Sequence, residues 1–398
     1  MLLVEGGLLL TLDAGRRILR ADIAIQDDRI VEIGPRLRGR YPVAEHIDAS
    51  HHVVTPGLID AHVHLTEHIV RGLVPDDAPE DQWLSRWLLP VYSSVTAQEE
   101  QAAAQLAFVE MLRSGTTTFC EAGTLMHPRA VMEVMRPAGI QGILGRWTWD
   151  LPPQPPAMRR STDQALRQLA DLLACDVPAW PLVLGIGTAS EELIAGAHQL
   201  ARQHGTGFGM MHRTSQRETS PSLRRLDEMG VLDSRTKLTH EVYLADGDIE
   251  LLAERRVNVV HCPTAGLRHV KGLHRHAKFP EMLAAGVNVA IGGDSANGSN
   301  HADLTRVMWL CANLYKDFRM DVRAVPAETA LEMATLNGAR ALLLDDAGSL
   351  EPGKRADLVL WDTNQPEWRP LLHPVNNLVH AATAASVDTV IASGQVVV

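Results

Sequence analysis

Five side chains in this 398-residue chain offer donors that suit a divalent metal: His62, His64, His212, His240 and Asp294. His62 and His64 close the run GLIDAHVHL. Residues two apart on a strand point to one side, so both imidazoles face the same way and are spaced to share a cation. Imidazole with carboxylate suits Zn²⁺ or another divalent transition metal, with Fe²⁺ as the alternative. Taken singly, each residue has a plainer reading. A His-x-His pair is weak evidence in a chain with 18 histidines. His212 alone reads as a satisfied core or rim histidine. Asp294, after Gly292 and Gly293, reads as a turn residue or a helix N-cap. The set gains weight only if the fold brings its members together.

Between residues 57 and 345 the chain repeats one grammar. Short apolar or β-branched runs at 57–65, 116–123, 139–150, 181–188, 207–214, 236–243, 257–264 and 287–295 alternate with amphipathic stretches of helix length. Eight such units predict an α/β fold, a (β/α)₈ TIM barrel. A doubly wound sheet rarely uses eight units and leaves the polar strand ends unexplained. Each candidate ligand falls at the C-terminal end of a predicted strand, the rim where barrel active sites form. Residues 66–100 form a long insert after strand one, and LPPQPPAMRR (151–160) a Pro-rich loop after strand three. Residues 1–56 and 346–398 alternate like β-structure. They are expected to meet as the two parts of one small β-sandwich flanking the barrel at 57–345.

The chain carries 48 acidic and 37 basic side chains, a net charge of −11. That balance excludes a basic nucleic-acid footprint and disfavours an anionic membrane surface. No apolar run approaches the length of a membrane span. Cys120, Cys175, Cys262 and Cys311 show no C-x-x-C spacing, which argues against a disulfide framework or a thiolate zinc site. The N-terminus reads as a strand and not a signal peptide. A cytoplasmic protein acting on a small molecule is the expectation.

PGLIDAHVHL, Arg71-Gly72, EMLRSGTTTFCEAG, THEVYLADGDIELLAE, HCPT, EMLAAGVNVAIGGDS, EMATLNGARAL and LEPGKRADLVLWD together resemble the amidohydrolase superfamily. The similar branch holds chlorotriazine hydrolases, cytosine and guanine deaminases, and methylthioadenosine/adenosylhomocysteine deaminases. The resemblance implies a metal-dependent hydrolase with a composite β-sandwich. By motif it assigns the metal to His62, His64, His212 and Asp294, and gives His240 the task of orienting water or polarising substrate. Two-metal members usually have a modified Lys at the end of strand four. This chain reads GIGTAS there, which favours one metal. Members usually continue beyond SGQVVV with a segment that often supports dimer contacts, so a homodimer is the implied but less secure assembly.

The chemistry of the residues agrees with that reading. A divalent metal makes its water acidic enough to ionise near neutral pH. Asp294 can accept that proton and pass it to a leaving group, and His240 can hydrogen-bond the charge that develops. One departure bears on the substrate. Deaminases of this branch carry Glu three residues after the strand-five His, and here Ser215 stands there. Ser cannot do carboxylate acid/base work. The expectation is hydrolysis of a C–N or similar bond in a cyclic or heteroaromatic small molecule, and reactions that Asp294 alone can serve remain open: amide, carbamate, urea-type or cyclic-amide hydrolysis, or ring substitution. The alternatives are nucleobase or nucleoside deamination with Glu218 or Glu121 as substitute, and a catalytically silent barrel that binds a heterocycle. Trp83, Trp87, His261, Ser215 and Asn297 are candidate substrate contacts. Trp147, Trp149 and His301 lie nearby in the predicted pattern.

Overall fold

The computed structural model describes residues 1–79, 82–152, 155 and 158–398. Residues 153, 154, 156 and 157 of the expected Pro-rich loop lie outside the described residues. The chain opens with β1 (Leu2–Leu10), β2 (Ile18–Gln26), β3 (Arg29–Gly34), β4 (Glu45–Asp48) and β5 (His52–Pro56). The barrel strands follow: β6 (Leu58–His64), β7 (Thr116–Glu121), β8 (Gln141–Ile143), β9 (Leu182–Val183), β10 (Phe208–His212), β11 (Thr236–His240), β12 (Asn258–His261), β13 (Asn288–Ile291) and β14 (Asp294–Ser295). The chain ends with β15 (Leu358–Asp362), β16 (Val387–Ala392) and β17 (Gln395–Val396).

The two chain ends share one sheet, ordered β17-β16-β15-β5-β1-β2-β3 with β4 added on β1. β15 pairs antiparallel with β5, Leu358 opposite Pro56 and Leu360 opposite Val54. The two-residue period then sorts the side chains. Leu358, Leu360 and Val54 join Leu9, Ile23 and Ile25 in one core. Val359, Trp361 and Val53 face the other way into the barrel's own core. The sheet is thus fastened to the barrel by every second residue of its central strands.

The barrel strands are parallel. β9 to β13 pair in order, and β14-β6-β7-β8 form the other arc. A Leu144–Ala179 bridge connects β8 toward β9, and β13 runs through Gly292 and Gly293 into β14 to close the ring against β6. Strands three and four are shorter than the apolar runs suggested. Gly185 and Gly187 adopt positive φ, which ends the fourth strand early. Side chains alternate as in any closed sheet. Ala61, Cys120, Leu182, Val260 and Ala290 fill the inside. Leu58, Phe119, Val183, Met210, Leu238 and Val289 face the helices. Helix starts follow sequence: Thr96 with Glu99, and Ser161 with Gln164, form reciprocal capping boxes. Among the described residues no helix is long and apolar enough to cross a membrane.

Candidate metal centre and the cavity beside it

A regular β6 would not present His62 and His64 to the barrel interior. Ile59 and Ala61 point inward, so even-numbered residues would face the helices. The register with β7 shows what changes this. Asp60 pairs with Phe119 but Val63 pairs with Glu121, so β6 carries one extra residue, a bulge at Ala61–His62. Val63 now packs outward, and His62 and His64 turn in. The bulge is held from three sides. Asp60 Oδ1 accepts the N–H of His62 (3.1 Å) and of Gly293 (3.0 Å). Buried Lys237 of β11 donates to the Ala61 carbonyl at 3.0 Å. Gly292 lies so close that a Cβ there would stand 2.8 Å from the His62 carbonyl oxygen. Burial pushes the Asp60 carboxyl up to about 7, against the pull of those backbone donors.

The bulge delivers a compact donor group. His64 Nε2 lies 3.2 Å and His62 Nε2 3.7 Å from Asp294 Oδ1, and the ligand atoms of the three all fall within 4.8 Å of one another. Each imidazole is oriented through its far nitrogen. His64 Nδ1 lies 3.1 Å from Thr124 Oγ1, and that hydroxyl donates to Glu121 at 2.6 Å. The hydroxyl proton is therefore committed to Glu121, so His64 must donate from Nδ1, which fixes the ring with Nε2 toward Asp294. His62 Nδ1 lies 3.3 Å from Thr239 Oγ1, and its Nε2 is buried without a hydrogen-bond partner.

Electrostatics point the same way. Burial alone would lower His64, yet Asp294, Glu67 and Glu121 outweigh it and raise the imidazole to about 9. A site that drives an imidazole to hold a proton is one short of positive charge. Asp294 is held well below the carboxylate range. Burial opposes this, and the imidazoles of His64, His240 and His62 prevail. The donor set therefore fits a divalent cation in chemistry, orientation and charge. His240, turned by a positive φ of 88°, places Nε2 3.9 Å from the other Asp294 oxygen. Burial lowers its pKa, with Asp294 pulling upward. Asp294 itself sits at φ 64°, in the left-handed region.

A cavity of about 690 Å³ opens beside this group, within the usual range for small-molecule sites. His64, His240, His261, Glu67 and Asp294 line it with Trp83, Tyr92, Trp147 and Met211. The loop after β10 adds Thr214, Ser215, Arg217, Glu218 and Thr219. His261 is fixed by Tyr315 Oη at 2.9 Å and by stacking on Phe279. Trp83 reaches the cavity. Trp87, in the same π-helical turn (Trp83–Leu88), packs instead beside Arg86. Trp149 stands behind Trp147, with ring centroids 5.6 Å apart. Neither Asn297 nor His301 lines the cavity. Asn297 accepts the Val74 N–H, and His301 accepts that of Asp303.

The structure does not bring His212 to the donor group. β10 and β11 pair in unbroken register from Phe208–Thr236 to His212–His240. With no bulge, His212 keeps the outward parity of Phe208 and Met210. Its Nδ1 lies 2.6 Å from Glu241 Oε1 and its Nε2 2.8 Å from the Pro221 carbonyl. Burial opposes protonation here too, but Glu241 prevails and raises the imidazole.

Neither carboxylate considered as a substitute for the absent strand-five Glu is free. Glu121 sits behind Thr124, accepting from Thr124 and Gly123. Glu218 lines the cavity but accepts from the N–H groups of Arg213 and Thr214 and from the hydroxyls of Thr214 and Ser220. Glu67 went unnoticed in the sequence. It is buried, lines the cavity, accepts from Tyr92 Oη at 2.8 Å and from Ser295 Oγ, and lies 3.9 Å from His64 Nδ1. Its place three residues after His64 was the available signal. Strand alternation hid it, because a 3₁₀ turn (Thr66–Val70) begins there.

The family described as "Amidohydrolase family" matches residues 53–397. The chain is 34% identical to a 5-methylthioadenosine/S-adenosylhomocysteine deaminase of Syntrophobacter fumaroxidans, over 100% of this chain and 92% of that protein. It is 34% identical to a 5'-deoxyadenosine deaminase of Methanothermobacter thermautotrophicus, over 97% and 90%. Among solved structures it superposes on a zinc-bound adenosine deaminase from Xanthomonas campestris with TM-score 0.89 and 28% identity, covering 99% of this chain and 92% of that one. A zinc complex of atrazine chlorohydrolase from Arthrobacter aurescens shares the fold, with TM-score 0.91, 23% identity and coverage of 100% and 95%.

Proposed function

The chain belongs to the amidohydrolase family, and from that premise we propose that it hydrolyses a C–N bond of a planar cyclic or heteroaromatic small molecule at one divalent metal, zinc first, held by His62, His64 and Asp294. One observation carries this reading. Two oriented imidazoles, His62 with an unpartnered Nε2, converge through their Nε2 atoms on one buried carboxylate beside an aromatic-walled cavity. A divalent ion bound there supplies a water acidic enough to ionise near neutral pH. The chain supplies the rest. Asp294 turns one oxygen toward the two β6 imidazoles and the other toward His240, where it can accept a proton and return it to the leaving nitrogen. His240, kept neutral by burial, donates to the charge that develops on the attacked group. Trp83 and Trp147 offer flat faces to a planar ring.

The amide, carbamate or urea-type form of this reaction is favoured, because Ser215 lines the cavity where a carboxylate would serve a ring nitrogen. A second reading, deamination of an adenine nucleoside, draws on the adenosine-type deaminases among the relatives and on Glu67 as a further carboxylate lining the cavity. Zinc-loaded protein offered both panels separates the two. Amine or ring-opened product from cyclic amides, carbamates or ureas is the expected result. Ammonia from 5'-methylthioadenosine or S-adenosylhomocysteine would establish the second reading, and silence on both panels would sink the hydrolase assignment. A cytoplasmic homodimer completes the proposal. Light scattering on the purified protein tests the assembly.

A further inference from the structure

We propose that His212 is not a metal ligand in this protein but a positioning residue, a clamp that fixes the loop walling the cavity. The inference rests on the metal reading above and departs from the ligand set that the family resemblance implied. Three observations support it. First, parity: β6 gains its inward histidines from an extra residue, and β10 has none, so Met211 faces the cavity and His212 faces away. Second, both ring nitrogens are engaged, Nδ1 by Glu241 and Nε2 by the Pro221 carbonyl. Both partners are acceptors that lie outside the donor group, so both nitrogens are engaged away from the ion, whereas His64 turns Nε2 to Asp294, a fellow member of that group. Third, release would be costly. Glu241 is fully buried and its second oxygen already lacks a partner, so turning His212 away would strand a buried carboxylate.

The clamp has a clear mechanical consequence. His212 ties the end of β11, through Glu241, to Pro221, the far end of the loop that begins at Arg213. Within that loop Glu218 gathers Arg213, Thr214 and Ser220. Thr214, Ser215, Glu218 and Thr219 then stand as a fixed wall of the cavity. A strand-five histidine doing this work leaves the ion to His62, His64 and Asp294.

A crystal structure of the zinc-loaded wild-type protein tests the proposal directly. The expected result has His212 Nε2 on the Pro221 carbonyl and zinc on His62, His64 and Asp294. His212 Nε2 at a coordination distance of about 2.1 Å would overturn it. Zinc content supplies a readout in solution. His212→Gln should purify with about one zinc per chain and an affinity lowered by less than about 10-fold, the mild end for a residue outside the ligand set. His62→Gln should hold less than a tenth of that zinc. Zinc lost equally from both variants would overturn the inference. If His212→Gln does not fold, the crystal structure alone decides. Wild-type protein that takes up no zinc overturns the metal reading and this inference together, whereas His212 found on a bound zinc overturns this inference only.

Discussion

β6 and β10 end alike in sequence and differently in space. Each closes on a histidine at the C-terminal rim of the barrel, yet His64 meets Asp294 and His212 meets Glu241. One residue of register separates the two outcomes. The bulge at Ala61–His62 inverts the parity of β6, while β10 runs straight. Both histidines are buried beside carboxylates, so burial and charge do not distinguish them. What distinguishes them is which side of a strand they leave, and whether Nε2 is turned toward the donor group, as in His64, or away from it, as in His212. The lesson is that backbone neighbours decide whether a histidine at a strand end reaches the donor group.

The largest test of that contrast is removal of a β6 imidazole. His64→Gln should lower turnover by roughly 10⁴-fold or more and lose the metal. Metal analysis beside product assay checks it; a variant that kept zinc and more than a tenth of its turnover would break the assignment. Next comes Glu67→Gln, which replaces the cavity carboxylate held by Tyr92 and Ser295 and leaves His62, His64 and Asp294 in place. kcat/KM should fall on the order of 10²-fold with zinc content unchanged. No change would make Glu67 a structural anchor for Tyr92 and Ser295.

Much of this was legible in the sequence. The repeated strand units, the β-rich ends, the HxH pair and Asp294 are local patterns; the structure has the ends sharing one sheet and His62, His64 and Asp294 within reach of one another, with strands three and four shorter than their apolar runs. Parity was not legible. The bulge depends on Asp60 of β6 itself, on Lys237 of β11 and on Gly293 between β13 and β14. Two of those three lie far from residue 62 in the chain, and nothing near residue 212 marks the absence of a bulge. Trp83 and Trp87 show the same limit, since only the first of the two lines the cavity. Local spacing indicates which residues can act together only while the backbone stays regular.

On the β10 side the contrast predicts a stability effect. His212→Gln leaves Glu241 buried without its cation and should destabilise folding by about 3 kcal/mol. Replacing both partners, His212→Leu with Glu241→Leu, should recover most of that, because an apolar pair of fitting volume has no stranded charge. Denaturant titration of the two single variants and the double checks the cycle. Additive losses would mean that the two side chains do not act as a pair.

The smallest effect concerns the threonines behind the two β6 imidazoles, and it separates positioning from mere packing. Thr124 accepts from His64 and passes its own proton to Glu121, a relay of 3.1 Å and 2.6 Å. Thr239 faces His62 across a longer 3.3 Å. Valine matches threonine in shape, so Thr124→Val removes the relay without opening a cavity. The carboxylate of Glu121 keeps the N–H groups of Gly123 and Thr124, so the barrel should hold. His64 then loses the acceptor that fixes its tautomer, and zinc affinity should fall by about 10-fold. Thr239→Val should cost less, because its bond is longer and no carboxylate backs it. Competition against a chelator reads both numbers. Were Thr239→Val the costlier of the two, the order of support would be reversed, and His62 would be the imidazole on which the centre depends.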